Sequence, residues 1–192
     1  MTSQLAETQF ALKGHGFSRA ASPLCPRPAL AAEGMQATET GNPMTGKMDE
    51  LRVGDQVFRY DRDLTRQAYV SIRTGGAEEC GCSYCGNFAA QRSLAYPAGF
   101  LSLLDQLGID ANKEGEVYEL GLVEGLRLYG GWLFFAGELI EAGERLSPDA
   151  GTEFEFHITD PKRLPKADVS FGDRVLAVDF TTRIPWILEE EP

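Results

Sequence analysis

The chain of 192 residues lacks any long apolar run. No stretch reaches the roughly 18 consecutive apolar residues that a membrane span requires. The N-terminus also lacks the charged start and apolar region of a secretory signal. We therefore expect a cytoplasmic protein without a membrane segment, in a compartment where cysteine thiols stay reduced.

Motifs that identify the common enzyme classes are also missing. There is no glycine-rich phosphate-binding loop ending in Lys-Ser/Thr, no dinucleotide-binding glycine motif and no Gly-x-Ser-x-Gly nucleophile turn. Only two histidines occur, His15 and His157. Nucleotide-dependent chemistry and serine–histidine–acid catalysis therefore have no support in the sequence.

Basic residues are scarce. The chain has 18 Lys and Arg against 29 Asp and Glu, a formal net charge of −11, and residues 48–192 alone carry 14 basic and 26 acidic residues. A domain of this charge repels phosphate backbones, which excludes sequence-blind nucleic-acid binding. A protein is the partner that we expect.

The chain divides near residue 48. Residues 1–47 are rich in Ala, Gly, Ser, Thr and Pro and show no sustained helical or strand period, so we predict a disordered leader. Residues 48–192 have the apolar content of one folded domain.

Within that domain, strands outnumber helices. Alternating apolar residues predict strands at 56–60, 67–73, 116–120, 126–128, 132–140 with a bulge at Gly137, 152–159 and 173–180. The first two are expected to form a hairpin. Tyr129-Gly-Gly-Trp132 is expected to form either a tight reversal or a place where backbone approaches backbone. Helices are predicted at 88–94 and 97–107, the second capped by Gly108. We expect an α+β fold: one antiparallel sheet of about six strands, with two helices on one face.

Three of the four cysteines fall within six residues, as Cys80-Gly-Cys82-Ser-Tyr-Cys85. Three thiolates this close can ligate a metal ion, with zinc as the first candidate. Zinc in a structural site takes four ligands, and the sequence supplies no fourth nearby. The candidates are a second chain or one of these residues: Cys25, Glu78, Glu79 and His157.

Two other interpretations of the triplet remain open. Cys82 and Cys85 at the start of a helix suit redox chemistry, because the helix dipole favours a thiolate there, and Cys80 is placed to resolve a disulfide. Alternatively, all three are small residues packed in a tight loop.

Several neighbours of the triplet and of the apolar strands have ordinary structural interpretations. Asn87 is expected to cap or orient the cysteine loop as a supporting residue. Arg92 is expected on a solvated helix face, and Glu138 at an outward-facing strand position. The aromatic run of Trp132, Phe134 and Phe135 is expected in the core rather than in a ligand pocket.

Several motifs resemble a group of small uncharacterised bacterial proteins. They are Cys80-x-Cys-x-x-Cys-x-Asn-Phe88, Tyr96-Pro-x-x-Phe-Leu-x-Leu-Leu-Asp-x-Leu-Gly-Ile-Asp110, Glu116-Val-Tyr-Glu-Leu120, Tyr129-Gly-Gly-Trp132 and Phe135-x-Gly-Glu-Leu139, and they span roughly residues 67–140. The resemblance implies a bacterial protein with one integral domain after the leader. It implies no activity and no catalytic residue.

The main functional hypothesis is a non-enzymatic, acidic protein-interaction module that presents one sheet face to a partner and contains a structural metal site at Cys80, Cys82 and Cys85. The alternative is a thiol redox enzyme or sensor that uses Cys82 and Cys85.

Overall fold

The computed structural model describes residues 47–148, 153–163 and 169–189. The predicted leader, apart from Lys47, lies outside this range. The described elements, in chain order, are β1 (Asp49–Val53), β2 (Gln56–Tyr60), α1 (Arg62–Ser71), α2 (Gly76–Cys80), α3 (Ser83–Ala95), α4 (Ala98–Leu107), β3 (Glu116–Val123), β4 (Leu126–Glu141), β5 (Phe154–Thr159), a 3-10 turn (Pro161–Arg163) and β6 (Val175–Ile184). None of these helices is long and apolar enough to cross a membrane.

Six strands form one antiparallel sheet, five of them in the order β1-β2-β4-β6-β5, while β3 pairs with β4 outside this order. The sixteen-residue strand β4 lies at its centre. One edge of β4 pairs with β3 along 126–132 and with β2 along 137–141, and the other edge pairs with β6. The predicted α+β class with a single antiparallel sheet is confirmed.

Helices α3 and α4 pack on the same sheet face, as predicted. Phe88 of α3 and Phe100 of α4 both contact the ring of Phe180 on β6, at centroid distances of 6.0 and 6.1 Å. The alternation predicted for β5 is also confirmed, because Phe154 and Phe156 are buried on this face while Glu155 is exposed.

The strand predicted at residues 67–73 is wrong, since residues 67–71 belong to α1 and Ile72 caps its end. Asp61 begins the helix by accepting a hydrogen bond from the Leu64 N–H at 2.9 Å. The helix then follows the β4 edge that β2 and β3 leave open. There Thr65 Oγ1 accepts from the Ala136 N–H at 3.1 Å, and the Tyr69 hydroxyl donates to the Phe134 carbonyl at 2.9 Å. Strand β2 instead forms its hairpin with β1.

Of the two interpretations of residues 129–132, the reversal is wrong, because Gly130 and Gly131 continue β4. The close backbone approach is observed, since a Cβ at Gly131 would lie 2.7 Å from the Glu116 carbonyl oxygen. A Cβ at Gly130 would lie 2.8 Å from the Tyr118 ring, and one at Gly131 would lie 2.7 Å from the Phe180 ring. The glycines therefore let aromatic side chains lie directly on both faces of the strand. The register between β2 and β4 shifts between Val57 and Phe58, so the extra residue of β4 is Ile140 rather than the predicted Gly137.

Candidate metal centre

The structure brings the three sulfurs of the cysteine triplet together. Cys80 is the last residue of α2, Cys82 caps α3, and Cys85 lies in the first turn of α3. Between the two helices, Gly81 adopts a left-handed backbone with φ of 67°, which lets the chain turn within two residues. The Sγ atoms all lie within 4.8 Å of one another, and those of Cys80 and Cys82 are 3.2 Å apart.

These separations suit a single ion. Zinc–sulfur bonds of about 2.3 Å in tetrahedral geometry place the sulfurs about 3.8 Å apart, which small side-chain rotations can reach from the observed arrangement. The group of Cys80, Cys82 and Cys85 can therefore hold a metal ion. Soft thiolate ligands favour Zn(II), Cu(I) and similar ions over Mg(II) or Ca(II).

The three thiols have unequal surroundings. Cys80 and Cys82 are half-buried, whereas Cys85 is buried and its thiol donates a hydrogen bond to the Val117 carbonyl oxygen at 3.6 Å. Burial raises the pKa of the Cys85 thiol, and its hydrogen bonds to the other two cysteines raise it further. The Cys82 Sγ accepts the Cys85 N–H at 3.5 Å, so it uses a free donor of the helix N-terminus.

None of the fourth ligands that the sequence suggested joins the triplet within the described residues. His157 lies on β5, where its Nδ1 is 3.8 Å from Asp179 Oδ1. Glu78 pairs with Arg92 at 2.7 Å, and Glu79 accepts a hydrogen bond from Thr74 at 3.0 Å. Cys25 lies outside the described range.

Asn87 is a buried residue in the middle of α3 rather than the helix-terminus or turn residue expected. Its amide nitrogen donates to the Tyr129 hydroxyl at 3.1 Å and to the Pro185 carbonyl at 3.2 Å, and its oxygen accepts the Ile187 N–H at 2.9 Å. The Tyr129 hydroxyl in turn donates at 3.1 Å to the carbonyl of Tyr84, which lies in the first turn of α3 between Cys82 and Cys85. Asn87 therefore supports the loop through Tyr129.

Arg92 is not on a solvated helix face, which corrects the sequence expectation. Its guanidinium is nearly buried and donates from Nε to Glu114 Oε1 at 2.5 Å and from Nη2 to Oε2 at 3.0 Å. Tyr96 donates to the same carboxylate at 2.9 Å. Burial raises the pKa of Glu114, and the hydrogen bonds from Arg92 and Tyr96 oppose that rise.

This network also fixes the position of Cys80. The Glu114 carbonyl accepts the Gly76 N–H at 2.8 Å at the start of α2, and Arg92 reaches Glu78 in the middle of α2. The first residue and the middle of this five-residue helix, which ends at Cys80, are thus held against the loop before β3 and against α3. Sequence reasoning missed Glu114, because it lies in a polar loop segment and carries no local signal of burial.

The aromatic residues of β4 belong to the core as expected, since Trp132, Phe134 and Phe135 are each 6% exposed or less. Glu138 is a partly exposed strand residue that pairs with Arg174 at 2.5 Å. Neither group contributes to the cysteine site.

Comparison of the chain with protein-family models, with curated proteins and with solved structures found no match in any of the three. The candidate function therefore depends on the chemistry of the residues themselves.

Proposed function

We propose that the protein is a non-enzymatic interaction module whose fold is stabilised by a zinc ion bound to Cys80, Cys82 and Cys85. The observation that carries the proposal is the convergence of three sulfurs within 4.8 Å at one helix junction. The cytoplasm, a reducing compartment, keeps such thiols available as ligands.

The bound ion would cross-link α2 to α3. Helix α2 has five residues, too few to be stable by itself, and its last residue is a ligand. Metal binding to a folded site contributes directly to the free energy of unfolding. The zinc would therefore act on stability, and its three thiolates would be supplied by consecutive segments of one chain.

Metal analysis of protein purified under reducing conditions tests the proposal. We expect one zinc per chain, with the three thiols protected from alkylation until a chelator removes the ion. Loss of zinc should lower the midpoint of thermal unfolding. Cys82→Ser should abolish binding, whereas Cys25→Ser serves as the matched control. Zinc absent from the wild-type protein after incubation with the ion would overturn the proposal.

The sheet face away from α3 and α4 is the surface proposed for a protein partner. Glu155 and Thr181 are paired across β5 and β6 and point to this face, opposite the buried Phe156 and Phe180. The double variant Glu155→Arg/Thr181→Arg should lose a partner that the wild type recovers stoichiometrically from its source cells. An identical set of recovered proteins would argue against this surface.

A thiol redox role is the second candidate, because Cys82 occupies the N-cap of α3 and its Sγ accepts the Cys85 N–H. The N-cap position favours a thiolate at Cys82. The raised pKa of Cys85, in contrast, makes Cys85 a poor attacking group. Mild oxidation followed by mass mapping tests this role. A reversible Cys82–Cys85 disulfide in the metal-free protein, formed without loss of fold, would support it over the zinc site.

A further inference from the structure

We infer that the cysteine triplet is also a binding site for a trivalent metalloid, of which arsenite is the soluble form. The inference rests on the proposed function only in that the three cysteines act as one ligand set. Three features of the site carry it: the number of ligands, the burial of one of them, and the charge of the surrounding domain.

The ligand number matches trivalent arsenic better than zinc. Zinc in a structural site takes four ligands, whereas the described residues bring only Cys80, Cys82 and Cys85 together. Trivalent arsenic forms three bonds and keeps a lone pair, so three thiolates complete its coordination. The Cys80–Cys82 separation of 3.2 Å, short for a tetrahedral zinc pair, suits a compact pyramidal arrangement.

The net charge of the complex with three thiolates also favours arsenic over zinc. Arsenic(III) with three thiolates is neutral, whereas zinc(II) with three thiolates carries one negative charge. Cys85 is buried, so a charged complex at its sulfur loses solvation. The domain is already strongly acidic, and two of its carboxylates, Glu78 and Glu79, lie on the short helix that ends at Cys80. A neutral complex avoids both costs.

The binding step is a condensation. Arsenous acid, As(OH)₃, exchanges its three As–O bonds for three As–S bonds, and each hydroxyl leaves as water with one thiol proton. No electron is transferred.

The experiment uses the full-length chain with Cys25→Ser, so that only the triplet is available. The protein is titrated with arsenite and, separately, with zinc. We expect one arsenic per chain, with three hydrogens lost by mass spectrometry. Cys80→Ser and Cys82→Ser should each weaken arsenite binding by at least about tenfold, whereas Ser83→Ala should leave it unchanged.

Cys85→Ala tests the third ligand, and its circular dichroism is compared with that of the parent because Cys85 is buried. An arsenic adduct that loses only two hydrogens, or an arsenite affinity unaffected by Cys85→Ala in a folded chain, would overturn the inference. Arsenite binding without zinc binding would refute the zinc site and leave this inference standing. Zinc binding without arsenite binding would overturn this inference and leave the zinc site standing.

Discussion

Glu114 provides the most direct test of how the site is held together. Its side chain is fully buried and accepts three hydrogen bonds, two from Arg92 and one from Tyr96. The substitution Glu114→Gln keeps the size of the side chain and removes its charge. It leaves a nearly buried guanidinium with Glu78 as its remaining ionic partner.

The size of the expected loss in unfolding free energy follows from the burial of this ion pair. Removing one partner of a buried ion pair destabilises a protein by about 3–5 kcal/mol, because the other charge stays buried without compensation. Glu78 is 39% exposed and continues to pair with Arg92. We therefore expect a loss at the lower end of that range, about 3 kcal/mol of unfolding free energy.

Urea unfolding of the metal-free protein under reducing conditions measures this loss. Glu141→Gln is the matched control, because its partner Arg52 is also an arginine but both side chains are more than half exposed. Breaking an exposed pair should change the unfolding free energy by less than about 1 kcal/mol. If Glu114→Gln costs no more than Glu141→Gln, the network does not stabilise the junction of α2 and α3.

Two other predictions concern stability. Asn87→Ala removes the amide hydrogen bonds to the Tyr129 hydroxyl and the Pro185 carbonyl, and it leaves the Ile187 N–H without its Asn87 acceptor. Tyr129 still donates to the Tyr84 carbonyl and Pro185 still accepts from Gln91, so we expect a loss of about 1–3 kcal/mol in urea unfolding, with faster protease cleavage near residue 186. Wild-type cleavage rates in the variant would contradict this. Burial and the nearby Arg145 lower the pKa of His157, so the unfolded chain binds a proton more readily. Stability should therefore fall as pH drops below about 6.5, and this slope should be shallower in His157→Gln. Equal slopes in the two proteins would refute the assignment.

Helix α4 and strand β5 were predictable because local pattern and tertiary packing agree there. Phe100, Leu104 and Leu107 recur at helical spacing and are all buried against the sheet. Gly108 adopts φ of 80°, the left-handed conformation that ends a helix. In β5 the two-residue alternation separates a buried face from an exposed one.

Helix α1 and the glycine pair of β4 were not predictable, because distant residues determine both. Residues 67–71 contain Tyr69 and Val70, which are typical of strands. They form a helix instead, from which the side chains of Thr65 and Tyr69 make hydrogen bonds to the open edge of β4. Gly130 and Gly131 look like a turn in sequence, and they extend a strand because Tyr118 and Phe180 cover them.

The candidate site shows the same difference between what local sequence limits and what contacts between distant residues decide. The sequence by itself limited the distance between Cys80 and Cys85 to at most about 17 Å. The turn at Gly81 between α2 and α3 then brought the three sulfurs to within 4.8 Å of one another. Only the tertiary structure decided that Glu114 is buried against Arg92, 22 positions earlier in the chain, and that His157 lies on another strand beside Asp179. Short spacings limit distance through covalent geometry, whereas partners far apart in sequence are chosen by which surfaces the core brings together.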